Sequence, residues 1–133
     1  MATLNDPGVR ELLEAPNHAV VSTLNPDGSV LSVLAWIGLE DGELAVNSAV
    51  GRRWPSNLDR DGRITVLVHP PDNPYEYVEV RGTARGTEAD ADAHIDRLAK
   101  KYLGQDRYPF RAPGEVRRKY VITPTHIRHQ RQG

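Results

Sequence analysis

Two turn tetrapeptides, NPDG at Asn25–Gly28 and EDGE at Glu40–Glu43, divide the stretch from His18 to Ser48 into three short apolar runs. Proline presets φ at one turn position and glycine accepts positive φ, so NPDG reverses the chain locally. Asp-Gly is the pair favoured in tight hairpins. A parallel crossover needs a dozen or more residues, usually helical, and neither gap offers that length. The runs therefore form an antiparallel meander, and this restricts the chain to a hairpin-built sheet.

The remaining segments extend that pattern. Residues 5–15 read as an opening helix, capped by Asn5 or Asp6, with Pro7 in its first turn and Val9, Leu12 and Leu13 on one side. RRWPSNLDRDG holds one or two helical turns. RITVLVH is a β-branched strand, PPDNP a loop, and YEYVEVRGTARGT a fifth strand bulged near Gly82. From Glu88 the period changes to that of a helix, with Thr87 as its candidate cap and Gly104 just past its end; Ala91, Ile95, Leu98 and Tyr102 share a stripe. A loop with a short helix from Pro113 follows. KYVITPTHIRHQ is then a sixth strand or a pair of short strands, interrupted at Pro124. Six antiparallel strands and a few peripheral helices predict a mainly β, closed or half-closed barrel, one domain over residues 1–133. Closure removes the exposed sheet edges. Six strands make a barrel filled by its own side chains, so a ligand must bind in an outer groove or between subunits.

Charge and composition exclude several functions. With 17 basic and 18 acidic residues the net charge is −1, giving no general attraction to nucleic acid or an anionic membrane. The absence of cysteine removes disulfides, thiolate nucleophiles and Cys-based metal sites. No apolar run is long enough to span a bilayer, and the N-terminal segment lacks a secretory apolar core. The cytoplasm is the expected location.

The candidate site is the turn after the run ELAV. Arg52 and Arg53 follow Gly51 and precede a short helix, where strong donors and a helix N-terminus converge into an anion cradle. Ser48, Ser56 and Asn57 add neutral donors. Arginine pairs in loops are also common as solvated charges, and spacing alone leaves both readings open. Trp54 in this polar turn is either a core lid or a cover for a flat ligand. Trp36, in a strand, defaults to the core. Tyr75 and Tyr77 share one strand face, as an aromatic wall or as ordinary half-buried residues. His126 and His129, three apart in a strand, face opposite sides, and no histidine has a partner at metal spacing, so no metal is expected. No GxSxG elbow is present, and GTARGT lacks the Walker lysine.

Five motifs in order, HAVVSTLNPDGSVLSVLAWI, LAVNSAVGRRWPSNLDRDGRITVLV, YVEVRGTA, KKYLGQDRYPFR and ITPTHI, span nearly the whole chain. In these the chain resembles the pyridoxamine-phosphate-oxidase-like split β-barrels (a Greek-key fold). More narrowly it is similar to the actinobacterial flavin and deazaflavin oxidoreductases that use coenzyme F420, an 8-hydroxy-5-deazaflavin. The resemblance implies a homodimer with cofactor sites at the subunit interface and hydride transfer to a small organic substrate. Arg52 fits the phosphate-binding arginine of such proteins. Trp54 stands where a second basic residue is common, and Arg53 is placed to supply that charge. Asn47 and Ser48 match positions near the ring, and Ser32 and Val33 would lie along its face. Tyr75 and Tyr77 would reach the cofactor of the other subunit, with Arg118 and Lys119 near an acidic tail. The cofactor carries the redox chemistry, so no side chain is named as a catalyst. FMN on the same barrel is the alternative cofactor, and a carrier without turnover the alternative role.

Overall fold

The computed structural model describes residues 2–131. One antiparallel sheet of seven strands dominates it, in the order β2-β1-β5-β6-β7-β4-β3. The strands are β1 (Ala19–Leu24), β2 (Val30–Ala35), β3 (Ile37–Glu40), β4 (Glu43–Ala49), β5 (Arg63–Val68), β6 (Tyr77–Thr87) and β7 (Arg117–Gln130). The helices are α1 (Pro7–Glu14), α2 (Arg53–Arg60) and α3 (Ala91–Leu103). β2 and β3 stand at opposite edges of this order, yet a single residue, Trp36, joins them. The sheet must therefore curl until its two edges meet, which makes it a split barrel. The seventh strand arises here: the stretch read as one strand breaks at Trp36 into β2 and β3.

Both early turns form as their sequences require. Gly28 takes φ +86° and donates its N–H to Asn25 at 2.9 Å. Asp41 and Gly42 both take positive φ, +52° and +78°, the two-residue hairpin geometry that Asp-Gly favours.

β6 and β7 pair along almost their full length, Tyr77 opposite Gln130 and Thr87 opposite Lys119. A register shift falls at Arg81/Gly82, opposite the segment from Pro124 to His126. The bulge explains how Pro124 sits within a strand: where pairing is broken, the missing N–H costs no ladder bond. β7 is thus one continuous strand of 14 residues rather than an interrupted one. At the bulge a Cβ on Gly82 would meet the Thr123 carbonyl oxygen at 2.2 Å, so only glycine fits.

Three other local expectations are corrected. Tyr75 lies in the turn before β6, not on the strand with Tyr77, because Pro74 and its neighbours hold the chain in turns. The N-cap of α3 is Asp90, at φ +63°, while the Thr87 hydroxyl accepts the Ala89 N–H at 3.1 Å as strand gives way to helix. Pro113 and Gly114 make a turn without a helix, since only a few residues separate them from β7.

Inside the barrel Val21, Val46, Val66, Val80 and Tyr120 are fully buried and form one apolar cluster. From α2, Trp54 and Leu58 join this cluster, and α1 contributes Val9, Leu12 and Leu13. α3 packs outside the barrel over β4 and β7, burying Ala91, His94, Ile95, Leu98 and Ala99. α2 therefore closes the barrel while α3 covers its flank, and the cavities considered below open beside α2.

Candidate functional site

The turn from β4 into α2 is held from both sides. Val50 donates its N–H to the Val116 carbonyl at 2.8 Å, and Gly51 follows at φ +103°, a conformation that L side chains rarely adopt. Arg52 is the extended N-cap residue of α2. Its carbonyl accepts both the Ser56 N–H, at 3.3 Å, and the Ser56 hydroxyl, at 2.9 Å. The first-turn amides of Arg53 and Trp54 have no intrahelical acceptor, as at any helix start. Both arginine side chains are exposed.

Beside this turn opens a cavity of about 820 Å³, lined among others by Asp27, Arg52, Arg53, Ser56 and Arg60. Arg52 and Arg53 form no ion pair among the described residues. Arg60 is partly committed, donating to Asn57 Oδ1 at 3.2 Å and to the Leu24 carbonyl. Asp27 is engaged by the hydroxyl and N–H of Ser29, at 2.6 and 3.0 Å, which hold its carboxyl below its ordinary range. The cavity thus presents two uncommitted guanidinium groups and helix-start amides, the donor set that suits a phosphate.

A second cavity, of about 300 Å³, adjoins the first and shares Arg52 with it. Its walls include Trp36, Trp54, Tyr108, Phe110 and Arg117. The Trp36 ring stacks on Tyr102, with centroids 5.2 Å apart and planes within 6°, and meets Tyr108 edge-on at 5.9 Å. Tyr102 is pinned, donating its hydroxyl to the Asn17 carbonyl at 2.7 Å and accepting the Ile37 N–H at 3.1 Å; burial pushes its hydroxyl up to about 12. Arg117 is 4% exposed. It donates Nε–H to Asn47 Oδ1 at 3.0 Å and Nη1 to Glu115 at 3.3 Å, with its guanidinium 5.0 Å over the Tyr108 ring. An aromatic slot and a cationic pocket therefore meet at one arginine.

The residues singled out in the sequence fall into two groups. Arg52, Arg53, Trp54, Asn47 and Asn57 converge on these cavities. Within that group Asn57 is spent structurally, donating to Thr23 and Asn25 at 3.1 and 3.0 Å. Asn47 is likewise engaged, donating to the Ala91 carbonyl at 2.9 Å and to His94 Nδ1 at 3.0 Å. Trp54 is both lid and wall, buried in the core cluster at 8% exposure while lining the groove.

The others lie apart. Ser48 is fully buried, its hydroxyl without a partner among the described residues. Ser32 and Val33, being neighbours on a strand, face opposite sides: Ser32 is exposed and bonded to Ser22 at 2.8 Å, and Val33 packs on the core. Tyr77 sits opposite Gln130, at the far end of β7 from Arg117, with Arg128 donating to its hydroxyl at 3.2 Å. Tyr75 is 65% exposed. Lys119 is tied to Glu43 and Asp90 at 2.8 and 3.1 Å, and Arg118 to Asp59 at 3.4 Å. Trp36 is half-buried on the groove rather than in the core. Arg117, Tyr108 and Phe110 were not anticipated. Their signal was faint: an arginine at a strand start, and two aromatics in a polar loop.

A curled antiparallel sheet with an outer groove, flanked by an arginine-bearing turn, defines a split β-barrel of the flavin-binding type. The chain belongs to the pyridoxamine 5'-phosphate oxidase family, whose model matches residues 6–131. Among solved structures it is similar to one described as an F420 reductase, with 26% identity and a TM-score of 0.77, covering 90% of this chain and 94% of that one. It also shares its fold with a conserved hypothetical protein of Mycobacterium tuberculosis, with 17% identity, a TM-score of 0.74, and coverage of 95% and 84%. A third match is the General Stress Protein 26 of Bacillus anthracis, with 19% identity, a TM-score of 0.67, and coverage of 92% and 91%. No curated protein matches the chain.

Proposed function

We propose that the chain is an oxidoreductase that holds coenzyme F420 across the two adjoining cavities and reduces or oxidises a small organic substrate beside it. The observation that carries this reading is the shared position of Arg52, where a pocket of uncommitted guanidinium groups opens into an aromatic slot. A planar ring bearing a phosphorylated side chain matches that pairing of surfaces. The similarity to an F420 reductase adds support. FMN, which also joins a flat tricycle to a phosphate, is the second reading, and binding without turnover is the third.

Arg52, Arg53 and the first-turn amides of α2 would hold the phosphate. Trp36 and Trp54 would flank the ring and exclude water from it. When bound, F420 supplies a hydride at C5 of its deazaflavin ring. Titration with F420 and with FMN, each followed by its own fluorescence, tests the proposal. We expect saturable quenching of F420 at micromolar concentrations; failure of both cofactors to bind sinks the reading. Oxidation of reduced F420 by a substrate then separates an enzyme from a carrier.

The same proposal includes a homodimer. β2 carries Val30 at 64% and Leu34 at 73% exposure on its outward face, and Leu34 reaches the rim of the aromatic groove. Large aliphatic side chains left open along a sheet edge mark an interaction surface. A second copy laid on β2 would cover them and wall the groove. Leu34→Arg is therefore expected to convert a dimer into a folded monomer in light scattering after gel filtration. A wild-type monomer at tens of micromolar rules out this surface as a dimer contact.

A further inference from the structure

The aromatic groove is rich in hydrogen-bond donors and poor in acceptors. Apart from Asn47, its polar lining comprises Arg52, Arg117, Trp36, Trp54 and Tyr108 as donors, with His18 able to accept and no carboxylate among the lining residues. The Asn47 carbonyl oxygen lies at the wall but already accepts the Arg117 Nε–H at 3.0 Å. An occupant that brings anionic acceptors suits such a groove.

Arg117 is the donor most fixed in place. Its side chain is 2% exposed and paired with Glu115, itself 8% exposed. Asn47 holds Nε, Glu115 takes Nη1, and the Tyr108 ring lies against the guanidinium face. Nη2 is then the unspent edge among the described residues. A buried ion pair carries a large desolvation penalty and often contributes little net stability. Its placement on a cavity wall fits recognition better than support of the fold. A guanidinium held in one orientation loses little freedom when it meets a planar anionic group, which is the setting in which arginine selects carboxylates.

We infer that the aromatic groove admits a planar ligand bearing a carboxylate, with Arg117 as the residue that recognises it. The inference stands apart from the proposed oxidoreductase: a groove of about 300 Å³ holds either the cofactor ring or this ligand, so the two would compete for it. The aromatic lining favours a flat frame, a volume of about 300 Å³ limits it to one or two rings, and Arg117 fixes the carboxylate end. Arg52, exposed at the other end, remains with the phosphate pocket.

The test compares trans-cinnamate with its methyl ester, the same planar frame without the charge, at pH 7.5. Both tryptophans of the chain line this groove, so their indole resonances and fluorescence report its occupation, and calorimetry gives the affinity. Cinnamate is expected to bind about tenfold or more tightly than the ester, the usual scale for a hydrogen bond to a charged group. Arg117→Gln combined with Glu115→Gln, which leaves no unpaired buried charge, should remove that preference and leave ester binding unchanged. Arg52→Ala should alter cinnamate binding by less than about threefold. Equal binding of acid and ester by the wild type overturns the inference, whether or not the variants fold. So does no binding of cinnamate, or a loss of cinnamate in Arg52→Ala that matches the double variant. F420 titration run in parallel keeps the two proposals apart: its failure sinks the oxidoreductase and leaves the cinnamate comparison intact.

Discussion

Arg52→Ala is expected to bind its phosphate-bearing cofactor about tenfold to a hundredfold more weakly than the wild type while unfolding at the same temperature. The magnitude follows from removing one charge-assisted hydrogen bond, worth about 1.5–3 kcal/mol, at about 1.4 kcal/mol per factor of ten. The unchanged stability follows from what Arg52 does in the fold. Its side chain is exposed, with no ion pair among the described residues, and its structural contacts run through the backbone carbonyl that accepts from Ser56. Alanine keeps that carbonyl. Arg60 would be a poorer probe, because it bonds Asn57 within α2 and ties the helix to Leu24 at the end of β1, so its loss mixes folding with binding. Arg53→Ala gives a graded comparison, and the pair of substitutions should weaken binding further than either alone. Unchanged dissociation constants for both F420 and FMN in the double variant would falsify the phosphate assignment of this turn.

Legibility in the sequence was uneven, for identifiable physical reasons. Turns governed by a single local rule were clear: Asp41-Gly42 and Gly28 adopt the positive φ that their sequences require. The bulge at Gly82 and the closing glycine of α3, Gly104 at φ +72°, were equally visible. Features set by tertiary closure were hidden. Nothing local to Trp36 says that one residue links the two edges of a curled sheet; only the strand order shows it. β2 reads as a strand, yet its outward Val30 and Leu34 look like ordinary apolar residues until the surface they leave open is seen.

At the site, the arginine turn was found because glycine, paired arginines and a helix start are adjacent in the chain. Arg117 escaped because the partner that fixes its Nε is remote: Asn47 is 70 residues away and meets it only through the pairing of β4 with β7. Lys119 was singled out instead, and its charge is taken up by Glu43 and Asp90 beneath α3. Sequence neighbours do not show which of two basic residues on one strand face will meet carboxylates and which will meet a cavity.

Acid should destabilise the protein well above the pH at which carboxylates titrate, and His94 should be the cause. This imidazole is completely buried between α3 and the barrel. Nδ1 accepts the Asn47 amide at 3.0 Å, which places the ring proton on Nε2, and Nε2 has no partner among the described residues. Burial lowers its pKa from 6.5 to about 4; Lys119 and Arg97 push the same way, while Glu40 and Asp90 oppose them. The unfolded chain therefore takes up a proton near pH 6.5 that the folded chain refuses until about pH 4. Between those values the unfolded state binds more protons, so stability falls as pH falls. The full loss is about 3 kcal/mol at 1.36 kcal/mol per pH unit, of which about 2 kcal/mol accrues by pH 5. Carboxylates held below their ordinary range, among them Glu40, Asp61 and Asp90, keep their contribution above their unfolded values near pH 4 and lose it below. Their window lies under that of His94. Urea unfolding at pH 7.5, 6 and 5 measures the slope. His94→Asn keeps an acceptor for Asn47 but cannot charge. It should be less stable at pH 7.5 because it leaves a cavity, yet lose far less stability between pH 7.5 and 5. A wild type as stable at pH 5 as at pH 7.5, or a variant with the same slope, would show that this imidazole does not control the acid response.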